Sequence, residues 1–275
     1  MIRSTEFEYP THLRAAIDDL PSSPGVYTFH GAQGDLPLYI GKSVNLRNRV
    51  LSHLRTQDEA RMLRQTQRIT YVRTAGEIGA LLLEASMIKQ QQPLFNQKLR
   101  RTKQMCALSI EKDRPIIVYS KDINFATHKG LFGLFASRQA AIEKLRNIAD
   151  DQRLCLSLLG LEKIKSDQPC FRSMINRCAG ACCGKESVSD HQKKLINALD
   201  NIQIVCWPYP AAIGVIERQE GMVQIHVIHH WCYLGSVENL EQARALTTQA
   251  SGFDADGYKI LCRPVMTGLA EIIEL

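Results

Sequence analysis

Between positions 155 and 185 the chain carries five of its nine cysteines, Cys155, Cys170, Cys178, Cys182 and Cys183, in a stretch with no sustained apolar periodicity. A segment that cannot fold by burying a regular apolar face must be organised by something else. The first four are separated by fourteen, seven and three intervening residues, and four thiols suffice for a metal site. Buried free cysteines acting as small hydrophobes are the bland alternative, and five of them in one short segment beside glycines and basic residues exceed what packing explains. An odd total also fits poorly with a set of extracellular disulfides. Zinc and 4Fe–4S both use four cysteines, and the paired Cys-x-x-Cys knuckles usual for zinc are absent. Cys183 either replaces Cys182 or stands idle, while Cys106, Cys206, Cys232 and Cys262 are isolated and read as core residues.

The rest of the chain has ordinary material for cores. At 275 residues and 45% hydrophobic it is long enough for two or three domains, and no apolar run reaches the ~18–20 residues that cross a bilayer. The start, Met1 to Glu8, lacks the basic and apolar stretches of a secretory signal, so a cytoplasmic location is expected. Lys and Arg total 34 against 28 Asp and Glu, and the excess is local. Lys42, Arg47, Arg49, Arg55, Arg61, Arg64, Arg68 and Arg73 are opposed only by Asp58 and Glu59, and Lys98, Arg100, Arg101 and Lys103 follow. Phosphate and a solvated helix face are equal readings of those arginines alone.

Residues 25–30 and 38–41 are β-branched and aromatic runs separated by Gly31, Gly34, Asp35 and Pro37, which predicts a hairpin. Leu46, Val50 and Leu54 predict a helix of about ten residues from Asn45. A strand over 68–74 and a helix carrying Ile78, Leu81, Leu82, Ala85 and Ile88 up to Pro93 complete a small α+β module. Beyond it the pattern predicts strands at 107–110, 116–119 and 131–135, a helix over 138–149, another near 190–199, strands at 212–217, 223–228 and 232–234, a helix over 238–249 and a strand at 259–262. The expected division is an extension at 1–21, the α+β module at 22–100, a cysteine-cluster region at 101–200 and a strand-rich part at 201–275.

Chemistry concentrates in the first module. Tyr27 and Tyr39 lie on the two strands of the predicted hairpin, where a packing pair is the simplest reading. Lys42 follows the second strand, and Arg49 and His53, four apart, share one helix face and border the sheet. Glu84 falls inside the apolar stripe of its helix, where a carboxylate needs a cation, a metal or a hydrogen-bond network. A salt bridge to a preceding arginine is one account of it. A hydrated Mg²⁺ or Mn²⁺ held by this single carboxylate is the other. Asn96, past the end of that helix, can orient a backbone group or a phosphate.

Gly25-Val26-Tyr27 and Tyr39-Ile40-Gly41, followed in order by Lys42, Arg49, His53, Glu84 and Asn96, resemble the GIY-YIG nuclease domain in its UvrC-like form, over about residues 22–100, with Val26 where the name-giving motif has isoleucine. The resemblance implies one-metal hydrolysis of a DNA phosphodiester. In it Tyr27 helps activate the water, aided by Lys42 or another basic neighbour. Tyr39 and Arg49 steady the scissile phosphate, His53 assists proton transfer or phosphate contact, Glu84 holds the ion and Asn96 braces the site. Residues 170–182, Cys-Phe-Arg-Ser-Met-Ile-Asn-Arg-Cys-Ala-Gly-Ala-Cys, also resemble the cysteine-rich region of UvrC, whose fourth ligand lies upstream, where Cys155 stands here. That resemblance implies a 4Fe–4S cluster, with zinc as the alternative.

A full UvrC continues into a UvrB-binding hairpin and a second nuclease, and no matching acidic set is present up to Leu275, so one incision is expected rather than two. The shorter UvrC homologues of bacterial nucleotide excision repair, the Cho type, share this arrangement, including a strand-rich end like that holding Trp207 to Pro210 and Trp231 to Gly235 here. Their likeness implies a cut on the 3′ side of a lesion in damaged double-stranded DNA, made with UvrA and UvrB. Two rival readings are a GIY-YIG homing or restriction enzyme and a non-catalytic, metal-stabilised DNA-binding module.

Overall fold

The hairpin expected at the start forms, and a third strand makes its first strand the centre of a sheet. In the computed structural model, residues 12–32, 37–99, 104–163, 168–246 and 252–275 are described. Met1 to Glu8, Gly34, Asp35, Arg100, Arg101, Lys103 and residues 247–249 of the predicted helix lie outside them.

Helix α1 (Leu13–Asp18) precedes β1 (Gly25–His30) and β2 (Pro37–Ser43). Then come α2 (Leu46–Leu54), α3 (Ala60–Gln65), β3 (Arg68–Arg73) and α4 (Glu77–Gln91). The sheet runs β2-β1-β3, antiparallel throughout. Every residue of β1 is buried, because the strand is covered on both faces. Tyr27 and Phe29 point into a core with Leu13, Leu46, Val50, Leu54 and Leu63 from α1, α2 and α3. Val26 points the other way and packs with Ile40 and Ile88 under α4. Alternation along a strand thus sends the tyrosine of the first motif to the α2 side and its neighbour to the α4 side.

Along the chain β4 (Cys106–Glu111), β5 (Arg114–Tyr119) and β6 (Leu131–Phe135) follow, with α5 (Arg138–Asp151), the short α6 (Phe171–Met174) and α7 (Val188–Asp200). The last part holds β7 (Ile213–Gln219), β8 (Met222–His229), β9 (Cys232–Val237), α8 (Leu240–Ala245), α9 (Ala255–Met266) and β10 (Glu271–Glu274). Two compact units result. One joins residues 1–102 to 209–250 and 256–275, and contains the first sheet and a four-stranded antiparallel sheet of order β10-β7-β8-β9. The other spans 103–208 and 251–255, with the sheet β5-β4-β6 and a core of Leu108, Leu145, Ile148, Leu195 and Leu199. No helix among the described residues is long and apolar enough to cross a membrane.

Three expectations need correction. Lys259 to Cys262 is helical, not a strand, because Leu261 and Val265 are buried four residues apart and Tyr258 meets Trp231 edge-on at 5.4 Å. Four residues are too few to show that period. The helix predicted from Glu238 starts at Leu240 behind the Asn239 cap and is assigned to Ala245. Of the isolated cysteines, Cys106 is buried in a core while Cys206, Cys232 and Cys262 are only half-buried. Trp207 and Trp231 are buried, in keeping with core residues.

Candidate active site

The second motif owes its glycine to the first motif's tyrosine. Tyr27 pairs across the strands with Gly41, and Phe29 with Tyr39, so the two tyrosines meet diagonally with ring centroids 6.2 Å apart. A Cβ on Gly41 would stand 2.3 Å from the Tyr27 hydroxyl. Only a residue without a side chain leaves that oxygen room above β2.

Helix α2 brings the basic partners. Asn45 caps its first turn by accepting from the Asn48 N–H at 3.0 Å, which starts the helix where the apolar spacing predicted. His53 then falls in the last turn, 3% exposed, with its ring 5.3 Å from that of Tyr27 and 5.5 Å from that of Tyr39. The Tyr27 hydroxyl donates to His53 Nε2 at 2.5 Å, and His53 Nδ1 donates to the Glu59 carboxylate. An ionised carboxylate only accepts, so Glu59 places the proton on Nδ1 and leaves Nε2 to receive. Burial lowers the pKa of His53 below the ordinary imidazole value, Glu59 pulls it up, and the net shift is downward. Burial and the nearby Tyr39 push the Tyr27 phenol well above its usual value, against the pull of the Arg49 guanidinium. Arg49 itself is exposed at the rim.

Helix α4 brings the acid. Glu84 Oε1 accepts the backbone N–H of Lys42 at 3.0 Å, and among the described residues no arginine or lysine side chain pairs with it. Burial raises its pKa, opposed by Lys42 and Arg49; burial also raises that of Tyr39, and the Glu84 charge adds to it. Lys42 enters the site through its backbone; its ammonium is turned to Glu77, 2.6 Å away. The Lys42 side chain is therefore not the basic group that lowers the Tyr27 pKa: burial raises that phenol, Arg49 is the basic neighbour that pulls against it, and His53 takes its hydrogen bond. Asn96 is buried and spends both ends of its amide on Ile40, accepting its N–H at 2.9 Å and donating to its carbonyl at 2.8 Å. Both bonds go to the backbone of β2, so Asn96 clamps the edge of that strand.

Tyr27, Tyr39, Lys42, Arg49, His53 and Glu84 thus converge, with Asn96 behind them. The sequence marks Glu59 only as an acid opposing the basic run, not as a site residue, although it sits six residues after His53, the spacing that brings a short 3₁₀ turn back over the end of α2. The site offers an acceptor line from phenol to imidazole to carboxylate, an exposed cation, and a carboxylate whose Oε2 accepts no hydrogen bond among the described residues. One such oxygen beside solvent fits a hydrated divalent ion that keeps most of its waters.

The second unit holds the other constellation. The sulfurs of Cys155, Cys170, Cys178 and Cys182 all lie within 4.8 Å of one another, and the first three are buried. Cys182 Sγ accepts the Cys170 N–H at 3.4 Å and Cys178 Sγ the Gly180 N–H at 3.3 Å, while His191 Nε2 receives the Cys155 N–H at 3.0 Å. Burial pushes the Cys155 thiol up to about 11 and that of Cys178 to about 12. Cys183 lies outside the group, its thiol donating to the Gly180 carbonyl at 3.4 Å. Four thiols gathered in this way could hold a metal.

Comparison with known proteins covers most of the chain. The UvrC-like GIY-YIG domain matches residues 23–97, the UvrC/Cho excinuclease middle domain 93–201, and the excinuclease Cho C-terminal domain 212–275. Excinuclease cho of Escherichia coli strain K12 is 55% identical over 269 residues, 98% of this chain and 91% of that protein. UvrABC system protein C of Cereibacter sphaeroides is 33% identical over 193 residues, 68% of this chain and 30% of that protein. The magnesium-bound GIY-YIG N-terminal endonuclease domain of UvrC from Thermotoga maritima is 31% identical, covering 32% of this chain and 98% of that one, with a TM-score of 0.29.

Proposed function

The chain belongs to the Cho excinuclease family of DNA-repair endonucleases, and from that premise we propose that it incises the damaged strand on the 3′ side of a lesion, with UvrA and UvrB, by one-metal phosphodiester hydrolysis. Residues 22–100 would supply the nuclease, 101–200 the cysteine cluster and 201–275 the strand-rich end, in the cytoplasm. The observation that carries the chemistry is the Tyr27–His53–Glu59 line, in the same site as Glu84, which accepts the Lys42 amide of β2.

A phenol with a raised pKa is a poor base by itself near neutrality. Coupled to a neutral imidazole it need not ionise beforehand: Tyr27 takes the proton of the attacking water as its own passes to His53 Nε2, and Glu59 stabilises the imidazolium that forms. The logic is that of a nucleophile, base and orienter in line. Arg49 at the rim binds a non-bridging oxygen, and the half-buried Tyr39 hydroxyl donates to another. When bound at Glu84, a hydrated Mg²⁺ or Mn²⁺ supplies Lewis-acid stabilisation of the leaving 3′-oxygen. Arg55, Arg61 and Arg64 are exposed, and no ion pair among the described residues engages them, which suits a face that meets the DNA backbone.

The test is nicking of duplex DNA carrying one bulky lesion, with and without UvrA and UvrB. The wild type is expected to cut the damaged strand once, 3′ to the lesion, only with the partners present. Glu84→Ala is expected to lose about 100-fold or more in rate, as the loss of several kcal/mol of charge stabilisation requires, while still binding DNA. Efficient cutting of undamaged DNA without partners would favour a homing or restriction enzyme; binding without cutting by the wild type would favour a non-catalytic module.

For the cysteine cluster we propose a resident metal centre, 4Fe–4S by resemblance to UvrC. The sulfur spacing favours a second reading. A single tetrahedral zinc with Zn–S near 2.3 Å spaces its sulfurs by about 3.8 Å, whereas a cubane with an iron under each thiolate needs them farther apart. A cubane would require the half-exposed Cys182 turn to move outward. Anaerobic purification with an absorbance spectrum and iron and zinc assays decides: about four irons per chain supports the first reading, and stoichiometric zinc the second.

A further inference from the structure

Helix α4 has no side-chain cap from its own flank; it begins after an extended Gly76. The open amides of a helix start require acceptors, and here they come from β7. Glu217 Oε1 accepts the Ile78 N–H at 2.9 Å and Oε2 accepts the Gly79 N–H at 2.8 Å, 139 and 138 residues along the chain. Behind the carboxylate stands a buried chain. His226 Nε2 lies 3.0 Å from Glu217 Oε2, His226 Nδ1 lies 2.6 Å from Ser236 Oγ, and the Tyr233 hydroxyl lies 2.7 Å from the same Oγ. His226 is fully buried. Gln224 adds an acceptor for the Ala75 N–H at 2.8 Å. The fit is close: a Cβ on Gly79 would stand 2.5 Å from the His226 ring.

Five residues after Gly79 on this helix comes Glu84. A charged acceptor bound to two consecutive amides of the first turn fixes both the height and the rotation of a helix, and the carboxylate is favoured by the positive end of the helix dipole. Burial alone would raise the Glu217 pKa, but the hydrogen bonds from His226, Gly79 and Ile78 more than offset it and hold the group ionised. We propose that Glu217 is a positioning residue for incision: from the C-terminal sheet it pins the start of α4 and thereby sets where the Glu84 carboxylate presents its free oxygen. This gives the strand-rich end a task in the nuclease chemistry, and it rests on the reading of Glu84 as the ion's ligand. Glu217 touches no reacting atom; it acts through the helix.

The test uses the full chain as wild type, Glu217→Ala, Glu217→Gln and, as a control in the same strand, Arg218→Ala, whose partner is the exposed Glu271. Three quantities are read: amide exchange at Ile78 and Gly79, Mn²⁺ affinity by electron paramagnetic resonance titration against Glu84→Ala as background, and the Mg²⁺ concentration that half-saturates nicking. Glu217→Ala is expected to speed exchange at both amides and to weaken Mn²⁺ affinity and raise the half-saturating Mg²⁺ about tenfold, with nicking at saturating Mg²⁺ and the KM for DNA within about threefold of wild type. Glu217→Gln keeps one acceptor oxygen and is expected to fall between, and Arg218→Ala to match wild type. Faster exchange with wild-type ion affinity would make Glu217 a structural cap only and overturn the proposal, as would a uniform loss of rate that saturating Mg²⁺ does not restore. Should Glu217→Ala fail to fold, the same outcomes in Glu217→Gln decide. Wild type that binds Mn²⁺ at Glu84 but never nicks overturns the nuclease reading, and the positioning role is then judged by ion affinity alone.

Discussion

His53 and Glu59 show how burial changes what a residue type can do. On an exposed helix end the imidazole would titrate near its ordinary value of about 6.5 and serve as a cation for phosphate. Buried against Tyr27 and Phe29, it is held neutral to lower pH, and Glu59 partly reverses that shift. The sign for stability follows. With its folded pKa below its unfolded one, His53 contributes stability that is fully present above pH ~6.5 and lost as pH falls through the folded value. For catalysis, Glu59→Gln removes the upward pull. The acid limb of the nicking rate is expected to move to lower pH, and the plateau to fall by about 100-fold, the lower end of what general acid–base groups contribute. A pH–rate profile of both proteins checks this. A limb that stays in place would assign it to Glu84, whose carboxyl burial raises, and would take His53 out of the proton path.

At the scale of elements, the site depends on β2, an edge strand of its sheet. Bare edges are weakly held, and this one is covered by the chain after α4: Phe95 donates its N–H to the Leu38 carbonyl at 2.8 Å, and Asn96 imitates a strand at Ile40. Asn96→Ala is expected to leave a buried N–H and carbonyl unpaired and to cost roughly 1–3 kcal/mol by denaturant unfolding. Nicking should fall as Tyr39 and the Lys42 amide lose their support. A change below about 0.5 kcal/mol, within the ordinary range for inert surface substitutions, would show that the edge is held by the Leu94 and Phe95 amides without Asn96. Elements with a long apolar period were legible: α2, α4, α5 and α7 sit close to where spacing put them. The six-residue α1 and α3 were not, since under two turns show no periodicity, and α9 was mistaken for a strand in its short apolar middle. Leu13, Ile17 and Leu20 nonetheless belong to the core beneath Tyr27.

For the whole molecule, each compact unit carries one constellation. The cysteine unit has a regular core on α5 and α7 that takes in Leu156 and Leu159, whereas Cys155, Cys170 and Cys178 pack against one another beside Leu158 and Cys182. Cys178→Ser is expected to abolish metal retention and to speed amide exchange over residues 155–182, while exchange in α4 stays at the wild-type rate; metal assay and exchange mapping read both. Retained metal at wild-type stoichiometry would remove Cys178 from the ligand set and point to Cys183 as a substitute. What the residues by themselves determined was the list of candidates: the order and spacing of two tyrosines, one carboxylate and four cysteines along short elements state a motif, and the fold then gathers the tyrosines and the four thiols. What only the tertiary structure decided was partnership: that Glu59 orients His53, that Lys42 gives an amide rather than an ammonium, that Asn96 serves a backbone, and that Glu217 meets the start of α4. Those contacts join residues by proximity in space. A hydrogen bond forms when donor and acceptor come within about 3 Å, and sequence separation does not enter that condition.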